Sequence, residues 1–316
     1  MENKNVRIGH RQIGILDYLQ RYNYSFGMAD FEIMSGSFEV FHALGIETTF
    51  NASSIEFLPK YLHLLGIDVT KHIIPDFRTA MPGDWNEETG ICNKNSVRYS
   101  QNIEKHNEIN SLIIKKLEDS YKDYYPDLFK DEHKNRRLNR PIPLTDLFKN
   151  ISHHSVNQNK FGIFEDFPKL EDKIMYIGGI AVEEKGILTK NKVEVDEPQC
   201  VVLVALVSRM IGNVQGMIEE FLPSAERCIF KTRMVDVTLR ADLRHPNIIF
   251  TGQLVEYENI LRNVCRVPLI CIPSDNEFYT ASLVEHVGIG IYVHLGEGFA
   301  EALRGALKSI FIDNFE

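Results

Sequence analysis

The feature that most constrains the fold of this sequence is an alternation of short apolar runs with helix-like segments between Pro246 and Val293. The runs are rich in β-branched residues, and the segments between them have apolar residues at helical spacing. Such alternation is typical of a parallel sheet wound with crossover helices. We therefore predict an α/β fold. The expected strands are residues 247–251, 267–272 and 288–293, and the expected helices are residues 256–264 and 278–287.

A polar turn at residues 273–277 follows the second of these strands. In parallel sheets, ligands bind beyond the carboxyl ends of the strands, where helix N-termini offer unpaired N–H groups. Asp275, Asn276 and Glu277 supply two carboxylates and an amide, a set suited to hydrogen-bonding sugar hydroxyls. The same residue types are common in turns and at helix N-caps without any ligand. The sequence leaves both interpretations open.

Charge, cysteine spacing and hydropathy argue against several classes of function. The net charge of −9 disfavours a nucleic acid partner. The five cysteines show no metal-ligand spacing, so no metal site is predicted. The N-terminus lacks the apolar stretch of a secretory signal, and no window reaches the roughly 18 apolar residues of a membrane span. We expect the chain as written to be soluble and, at 316 residues, to form two domains.

Similar spacing arguments predict the other elements of the chain. Helices are expected at residues 10–22, 32–44, 57–65, 103–121 and 210–221, and strands at residues 24–30, 45–50, 201–208 and 228–231. Pro126 is expected just beyond the end of the helix at 103–121. A loop is expected at residues 74–95, which include the only tryptophan, Trp85.

Several short motifs follow one another along the chain in a recognisable order. They are FEDFP at 164–168, YIGGI at 176–180, VVLVALVS at 201–208, LRHP at 243–246, VPLICIP at 267–273 with Ala281 beyond it, and GIG at 288–290. No single motif is specific, but their order and spacing resemble the UDP-glucuronosyltransferase family of UDP-glycosyltransferases, particularly its divergent nematode members. The resemblance runs from about Tyr22 to the C-terminus.

This resemblance implies a GT-B fold, in which two Rossmann-like domains turn their parallel sheets toward a cleft. Residues 1–181 would form an incomplete acceptor-side domain, and residues 182–316 the UDP-sugar-side domain. The implied reaction is inverting transfer of glucuronate or glucose from a UDP-sugar to a small lipophilic acceptor, as in xenobiotic conjugation, with no metal and no further cofactor. Family members are anchored in the endoplasmic reticulum membrane, so the chain would be truncated at both ends. Assembly into a homo-oligomer stays open.

Asp30 matches the family's aspartate that orients the catalytic histidine, as a carboxylate orients imidazole in other sites. It also has the position of an ordinary helix-capping aspartate. No histidine matches the family's base: His10 and His42 are the nearest, and neither lies in the family's sequence context. The resemblance further implies that residues 74–95 contribute to the acceptor pocket.

The donor motifs of the family are altered in this chain. Ser208 is kept near the expected diphosphate, but Val207 replaces a glycine there. Thr251 and Gly252 stand where the family has His-Gly-Gly. The family's sugar-binding Asp-Gln pair becomes Asn276 with Glu277, or Asp275 with Asn276 if the turn slips by one residue. The uracil-binding segment is replaced by DVTL at 236–239, and Glu256 or Glu258 would hold the ribose.

Two hypotheses follow from these matches and departures. In the first, the chain is a UDP-sugar-dependent transferase. In the second, it is a degenerate or fragmentary, non-catalytic member that binds no UDP-sugar. The missing histidine, the replaced uracil segment and the altered His-Gly-Gly turn favour the second hypothesis, whereas the family resemblance favours the first.

Overall fold

The computed structural model describes residues 4–129, 139–180, 184, 201–204, 214–224, 228–233, 244–251, 269–273 and 277–313. The chain divides into two compact units. The first contains Met1–Asp76 and Val97–Gly179, and the second contains Phe77–Ser96 and Ile180–Glu316. The sequence places a domain boundary after residue 181, with residues 77–96 on its N-terminal side. The structure instead groups residues 77–96 with the second unit.

The first unit is built around a four-stranded parallel sheet. Its elements are β1 (Asn5–Ile8), β2 (Arg11–Gly14), α1 (Ile15–Leu19), β3 (Gly27–Ala29), α2 (Phe31–Ala43), β4 (Thr49–Ser53), α3 (Pro59–Leu64), a 3-10 turn (Val69–Lys71), α4 (Val97–Phe129), α5 (Leu144–Asn150), β5 (His153–Val156) and β6 (Ile174–Tyr176). Strands β3, β4, β5 and β6 lie side by side in that order and run parallel. Their carboxyl ends therefore share one edge of the sheet.

The helix expected at residues 10–22 is wrong over its first half. Strands β1 and β2 form an antiparallel hairpin in which Ile8 pairs with Arg11, and only Ile15–Leu19 is helical. Gly9 lies in the two-residue turn with a φ of 62°, a conformation that suits glycine. The turn decides the local structure here, although the apolar spacing that follows it is compatible with a helix.

Helix α4 is longer than the sequence predicts, since it begins at Val97 and ends at Phe129. The expectation that it stops before Pro126 is wrong. Proline lacks an N–H group and removes one backbone hydrogen bond. Only the last turn follows Pro126, so the long helical segment before it outweighs this local cost.

Strands β4, β5 and β6 depart most from the sequence prediction, and β6 (Ile174–Tyr176) is not predicted. Strand β4 begins at Thr49 instead of residue 45, because Gly45, with a φ of 75°, first ends helix α2 in a turn. Strand β5 is not predicted at all. Its sequence His-His-Ser-Val has no apolar run, and the complete burial of His154 comes from its tertiary neighbours.

Aromatic rings fill the core of the first unit on one side of the sheet. The centroid of Phe148 lies 4.7 Å from that of Phe31 and 4.7 Å from that of His154. The Phe57 ring lies 5.4 Å from the rings of both His154 and Tyr61. The core thus packs α2, α3 and α5 against strand β5.

The second unit contains two parallel sheets. Its described elements are β7 (Val201–Val204), α6 (Val214–Phe221), a 3-10 turn (Leu222–Ser224), β8 (Ile229–Arg233), β9 (Ile248–Thr251), β10 (Leu269–Cys271), α7 (Phe278–His286), β11 (Gly290–Tyr292) and α8 (Phe299–Asp313). One sheet has the order β7-β8-β9, and the other pairs β10 with β11. The predicted strands at 247–251, 267–272 and 288–293 and the helix at 278–287 are confirmed. The helix expected at 256–264 lies outside the described residues.

One hydrophobic cluster joins both sheets of the second unit. It includes Ile218 of α6, Phe230 of β8, Ile248 of β9 and Leu303 of α8, and Ile270 and Ile291 of the smaller sheet pack against it. The Phe221 and Phe230 rings are stacked with their centroids 4.7 Å apart. Among the helices that the structure describes, none is long and apolar enough to span a membrane.

Candidate functional site

Strands β8 and β9 bring two polar residues together at the carboxyl edge of the larger sheet in the second unit. Arg233 and Thr251 are Cα partners in the register, and each is the last residue of its strand. A guanidinium is permanently charged and carries five N–H donors, which suits phosphate oxygens. The sequence prediction ends β8 at residue 231 and so misses Arg233. Continuing the strand by one period of two residues would have identified it.

Glu277 is the N-cap residue of α7 and lies shortly after the carboxyl end of β10. It is exposed, and its side chain makes no capping hydrogen bond to the helix. Burial raises the pKa of the Cys271 thiol, and the negative charge of Glu277 raises it further. The Glu277 carboxylate therefore lies near the end of β10, as the sequence predicts for a residue of the polar turn.

The other predicted donor-site residues lie outside the described residues. They are Ser208, Gly252, Asp275 and Asn276, together with Val207, the segment 236–239, Glu256 and Glu258. Their roles stay predictions. Among the described residues, no group of three or more His, Cys, Asp or Glu side chains could hold a metal ion.

Asp30 directly follows β3 in the first unit and is the N-cap residue of α2. Its Oδ1 atom accepts hydrogen bonds from the backbone N–H groups of Glu32, at 2.8 Å, and Ile33, at 3.3 Å. This is the geometry of a helix cap. The catalytic role that the family resemblance implies for Asp30 stays a prediction.

Behind Asp30, a buried hydrogen-bond chain joins α2 to strands β4 and β5. The Oδ1 atom of Asn51 accepts from the Phe31 N–H at 2.8 Å, and its Nδ2 atom lies 3.2 Å from Nδ1 of His154. Because Oδ1 must accept from Phe31, Nδ2 donates to His154. The proton of the neutral imidazole therefore lies on Nε2, which is buried without a hydrogen-bond partner among the described residues.

His154 is held neutral in this environment. Burial, together with the positive charges of Lys173 and His153, lowers the pKa of His154 to about 4. The side chain is completely buried. His154 therefore supports the core beneath the sheet edge and is not placed to take a proton from a substrate.

The two histidines nearest to the family's base lie in other surroundings. His10 is exposed in the turn between β1 and β2. The Nε2 atom of His42 donates a hydrogen bond of 2.9 Å to the backbone carbonyl of Arg140. Neither imidazole is hydrogen-bonded to Asp30, whose carboxylate accepts only from the first turn of α2 in the described part of the chain.

A second polar cluster, not found by sequence analysis, lies at the first turn of α2. Lys60 donates to both carboxylate oxygens of Glu32, at 2.8 and 2.9 Å, and the Tyr61 hydroxyl also donates to Glu32. Burial opposes ionisation of Glu32, but the hydrogen bonds from Lys60 and Tyr61 outweigh it and lower the pKa of the carboxyl. Burial and the Glu32 charge raise the pKa of Tyr61. The cluster thus keeps Glu32 ionised beside the cap formed by Asp30.

No protein-family model matches the sequence, and no curated protein matches it either. Among solved structures, the chain is similar to the glycotransferase of kitacinnamycin, with a TM-score of 0.54 and 13% sequence identity over 95% of this chain and 72% of that chain. It is also similar to Phytolacca americana UGT2 complexed with UDP-2fluoro-glucose and pterostilbene, with a TM-score of 0.46 and 11% identity over 93% and 68% of the two chains. The predicted fold class is confirmed: the chain has the α/β, GT-B type of fold with two Rossmann-like domains.

Proposed function

We infer that this protein binds a UDP-sugar through its second unit and transfers the sugar to a small lipophilic acceptor with inversion. The observation that carries this inference is the register that sets Arg233 beside Thr251 at the carboxyl edge of the sheet. Diphosphates bind at this edge in open parallel sheets. An arginine there supplies the positive charge that the altered family motifs otherwise lack.

The polar turn that follows β10 would bind the sugar. Asn276 and Glu277, or Asp275 and Asn276, offer acceptors and donors for hydroxyl groups. Glu277 is exposed at the start of α7, and its side chain does not cap the helix. Uncharged glucose would suit this turn better than glucuronate. The carboxylate of glucuronate and a carboxylate of the turn would repel each other at close range.

In the proposed reaction, the acceptor hydroxyl oxygen attacks the anomeric carbon of the sugar. The bond from that carbon to the diphosphate oxygen breaks, and UDP leaves with the negative charge. Arg233 and the backbone N–H groups at the sheet edge would stabilise this charge. The hydroxyl proton passes to a base, and we propose the Asp30 carboxylate for this role because no histidine matches the family's base.

One observation favours the second candidate function, a non-catalytic relative that binds no UDP-sugar. The Oδ1 atom of Asp30 is used by two backbone N–H groups of α2, and no imidazole in the described part of the chain is hydrogen-bonded to this carboxylate. A carboxylate committed to a helix cap can be purely structural.

Calorimetric titration with UDP, UDP-glucose and UDP-glucuronate separates the two candidates. We expect the parent chain to bind UDP and the Arg233→Gln variant to bind it at least ten-fold more weakly, because a charge-assisted hydrogen bond contributes about 1.5–3 kcal/mol. Glu277→Ala and Asn276→Ala should weaken UDP-glucose and leave UDP unchanged.

Two exposed residues of α8 provide matched controls. Lys308→Ala removes a positive charge and Glu301→Ala a negative charge elsewhere in the second unit. Neither variant should change the affinity for any of the three nucleotides. A parent chain that is folded by circular dichroism and binds none of them would establish the non-catalytic alternative.

A further inference from the structure

The segment Phe77–Ser96, here called the Trp85 loop, has a conformation that its own residues determine. The Asp84 carboxylate accepts from the Met81 N–H at 2.9 Å, and the Asp84 carbonyl accepts from the Ile91 N–H at 2.8 Å. At Gly90, an added Cβ atom would lie 2.2 Å from the Asp84 carbonyl oxygen. Only glycine fits there, so the loop is a tightly folded element although it contains no helix or strand.

The Trp85 loop is attached to helix α7 through its tryptophan. The indole Nε1–H lies 3.1 Å from both the carbonyl oxygen and the Oγ atom of Ser282, and donates to both. The Trp85 ring also packs on His286, with the ring centroids 4.1 Å apart. A buried hydroxyl supports the same loop, since Oη of Tyr292 donates to the Ala80 carbonyl at 3.0 Å.

Helix α7 contacts this loop and also packs on strands β10 and β11. Ser282 and His286 are four residues apart and lie on the face that meets Trp85. Tyr279 and Leu283, on the neighbouring face, are buried. The helix begins directly after the polar turn, with Glu277 as its N-cap residue. A shift of α7 would therefore move the end of that turn.

We propose that Trp85 is a positioning residue for sugar binding: it fixes helix α7 and thereby sets the position of Glu277 at the polar turn. This inference rests on the proposed function. It assigns to the Trp85 loop a role in recognition of the donor sugar. The UDP portion would bind at the sheet edge formed by β8 and β9. Loss of the Trp85 contacts should therefore affect the sugar and not the nucleotide.

The Trp85→Phe variant tests this role, because it keeps an aromatic ring near His286 and removes the indole N–H. Hydrogen exchange should become at least ten-fold faster at the hydrogen-bonded amides of α7, from Ala281 onward, in this variant without any ligand. Calorimetry should show UDP-glucose binding weakened about ten-fold while UDP binding is unchanged. Lys308→Ala, at an exposed position of α8 in the same unit, is the control and should change neither measurement.

The fluorescence of the parent chain gives an independent signal, because Trp85 is its only tryptophan. Saturation with UDP-glucose should change the Trp85 emission more than saturation with UDP. Ser282→Ala, which removes one of the two acceptors of the indole N–H, should show a smaller loss of UDP-glucose affinity than Trp85→Phe.

The outcomes separate the two levels of inference. If the folded parent binds no nucleotide, the proposed function is wrong, and the proposed role of Trp85 in sugar binding is wrong as well. If the parent binds both ligands and Trp85→Phe weakens them equally or not at all, only the positioning role is wrong. Unchanged hydrogen exchange in α7 would also overturn it, whatever the binding results.

Discussion

The two units present polar residues at the carboxyl edges of their parallel sheets, but they use them differently. In the first unit these side chains form hydrogen bonds with the protein's own backbone. Asp30 caps α2, and Asn157 donates to the Ser54 carbonyl. Gln158 accepts from the Phe57 N–H and donates to the Gly162 carbonyl. In the second unit, Arg233 and Thr251 are neighbours at the edge, and Glu277 does not cap its helix through its side chain.

This difference shows that a polar residue after a strand is an ambiguous signal. Asp30 and Glu277 both follow a strand and precede a helix, and the sequence alone offers a cap or a ligand-binding role for each. Capping distinguishes them, because the Asp30 side chain caps α2 whereas the Glu277 side chain does not cap α7. The first edge is stabilised by its polar residues, so substitutions there should lower the free energy of unfolding. Substitutions at the second edge should instead change ligand binding.

The largest effect is expected for Asn51→Ala in the first unit. The substitution leaves the Phe31 N–H and the His154 imidazole without their buried partner, which should cost about 3 kcal/mol of unfolding free energy. Urea unfolding followed by circular dichroism measures this loss. Asn107→Ala, at an exposed position of α4, is the control and should have little effect. A loss below about 1 kcal/mol would mean that the hydrogen-bond chain does not support the edge.

The next largest effect is a pH dependence that originates at His154. Its pKa is lowered to about 4 in the folded chain, so between pH 6.5 and 4 the unfolded chain binds a proton that the folded chain does not. Stability from this residue is therefore present above pH 6.5 and falls as the pH decreases to 4. The expected loss between pH 7.5 and 4.5 is about 2–3 kcal/mol.

Comparison of His154→Phe with the parent isolates this contribution, because other groups titrate in the same range. Burial also lowers the pKa of His106, for example. The decrease in unfolding free energy on acidification should be smaller in His154→Phe by most of the expected 2–3 kcal/mol. His10→Gln, at an exposed position, should behave like the parent. Equal pH profiles for parent and His154→Phe would refute the buried, neutral state of His154.

The sequence predicts the second unit better than the edge of the first, for a physical reason. Strands β9, β10 and β11 consist mostly of apolar residues, so the sequence pattern alone identifies them as strands. Strand β4 instead buries Thr49, Asn51 and Ser53, so its pattern does not resemble a core strand. Strand β5 carries the buried His154, whose environment comes from residues far away in the sequence.

The candidate site could be predicted only where local sequence decides it. Glu277 at the start of α7 follows from the strand-turn-helix pattern. The pairing of Arg233 with Thr251 depends on the register of two strands, and the contact of Trp85 with Ser282 joins residues that are 197 positions apart. No periodicity within a short window encodes either of these contacts.

A smaller effect is expected at Asp30, and it separates the structural role from the proposed catalytic one. Asp30→Ala removes the cap of α2 and should cost about 1 kcal/mol, whereas Asp30→Asn keeps a capping oxygen and should be nearly neutral. If Asp30 also serves the reaction, Asp30→Asn should abolish sugar transfer in a folded, UDP-binding protein. Full transfer activity in Asp30→Asn would leave the cap as its only role.

The smallest change in stability is expected for Glu277→Ala, at most about 0.5 kcal/mol, since the residue is exposed and its side chain does not cap α7. Urea unfolding of the variant and the parent measures it, with Asp30→Ala as the matched N-cap substitution in the other unit. The same Glu277→Ala protein should lose UDP-glucose affinity, because the carboxylate would contact the sugar. A stability loss as large as that of Asp30→Ala would erase the distinction between the two edges and make Glu277 a structural residue as well.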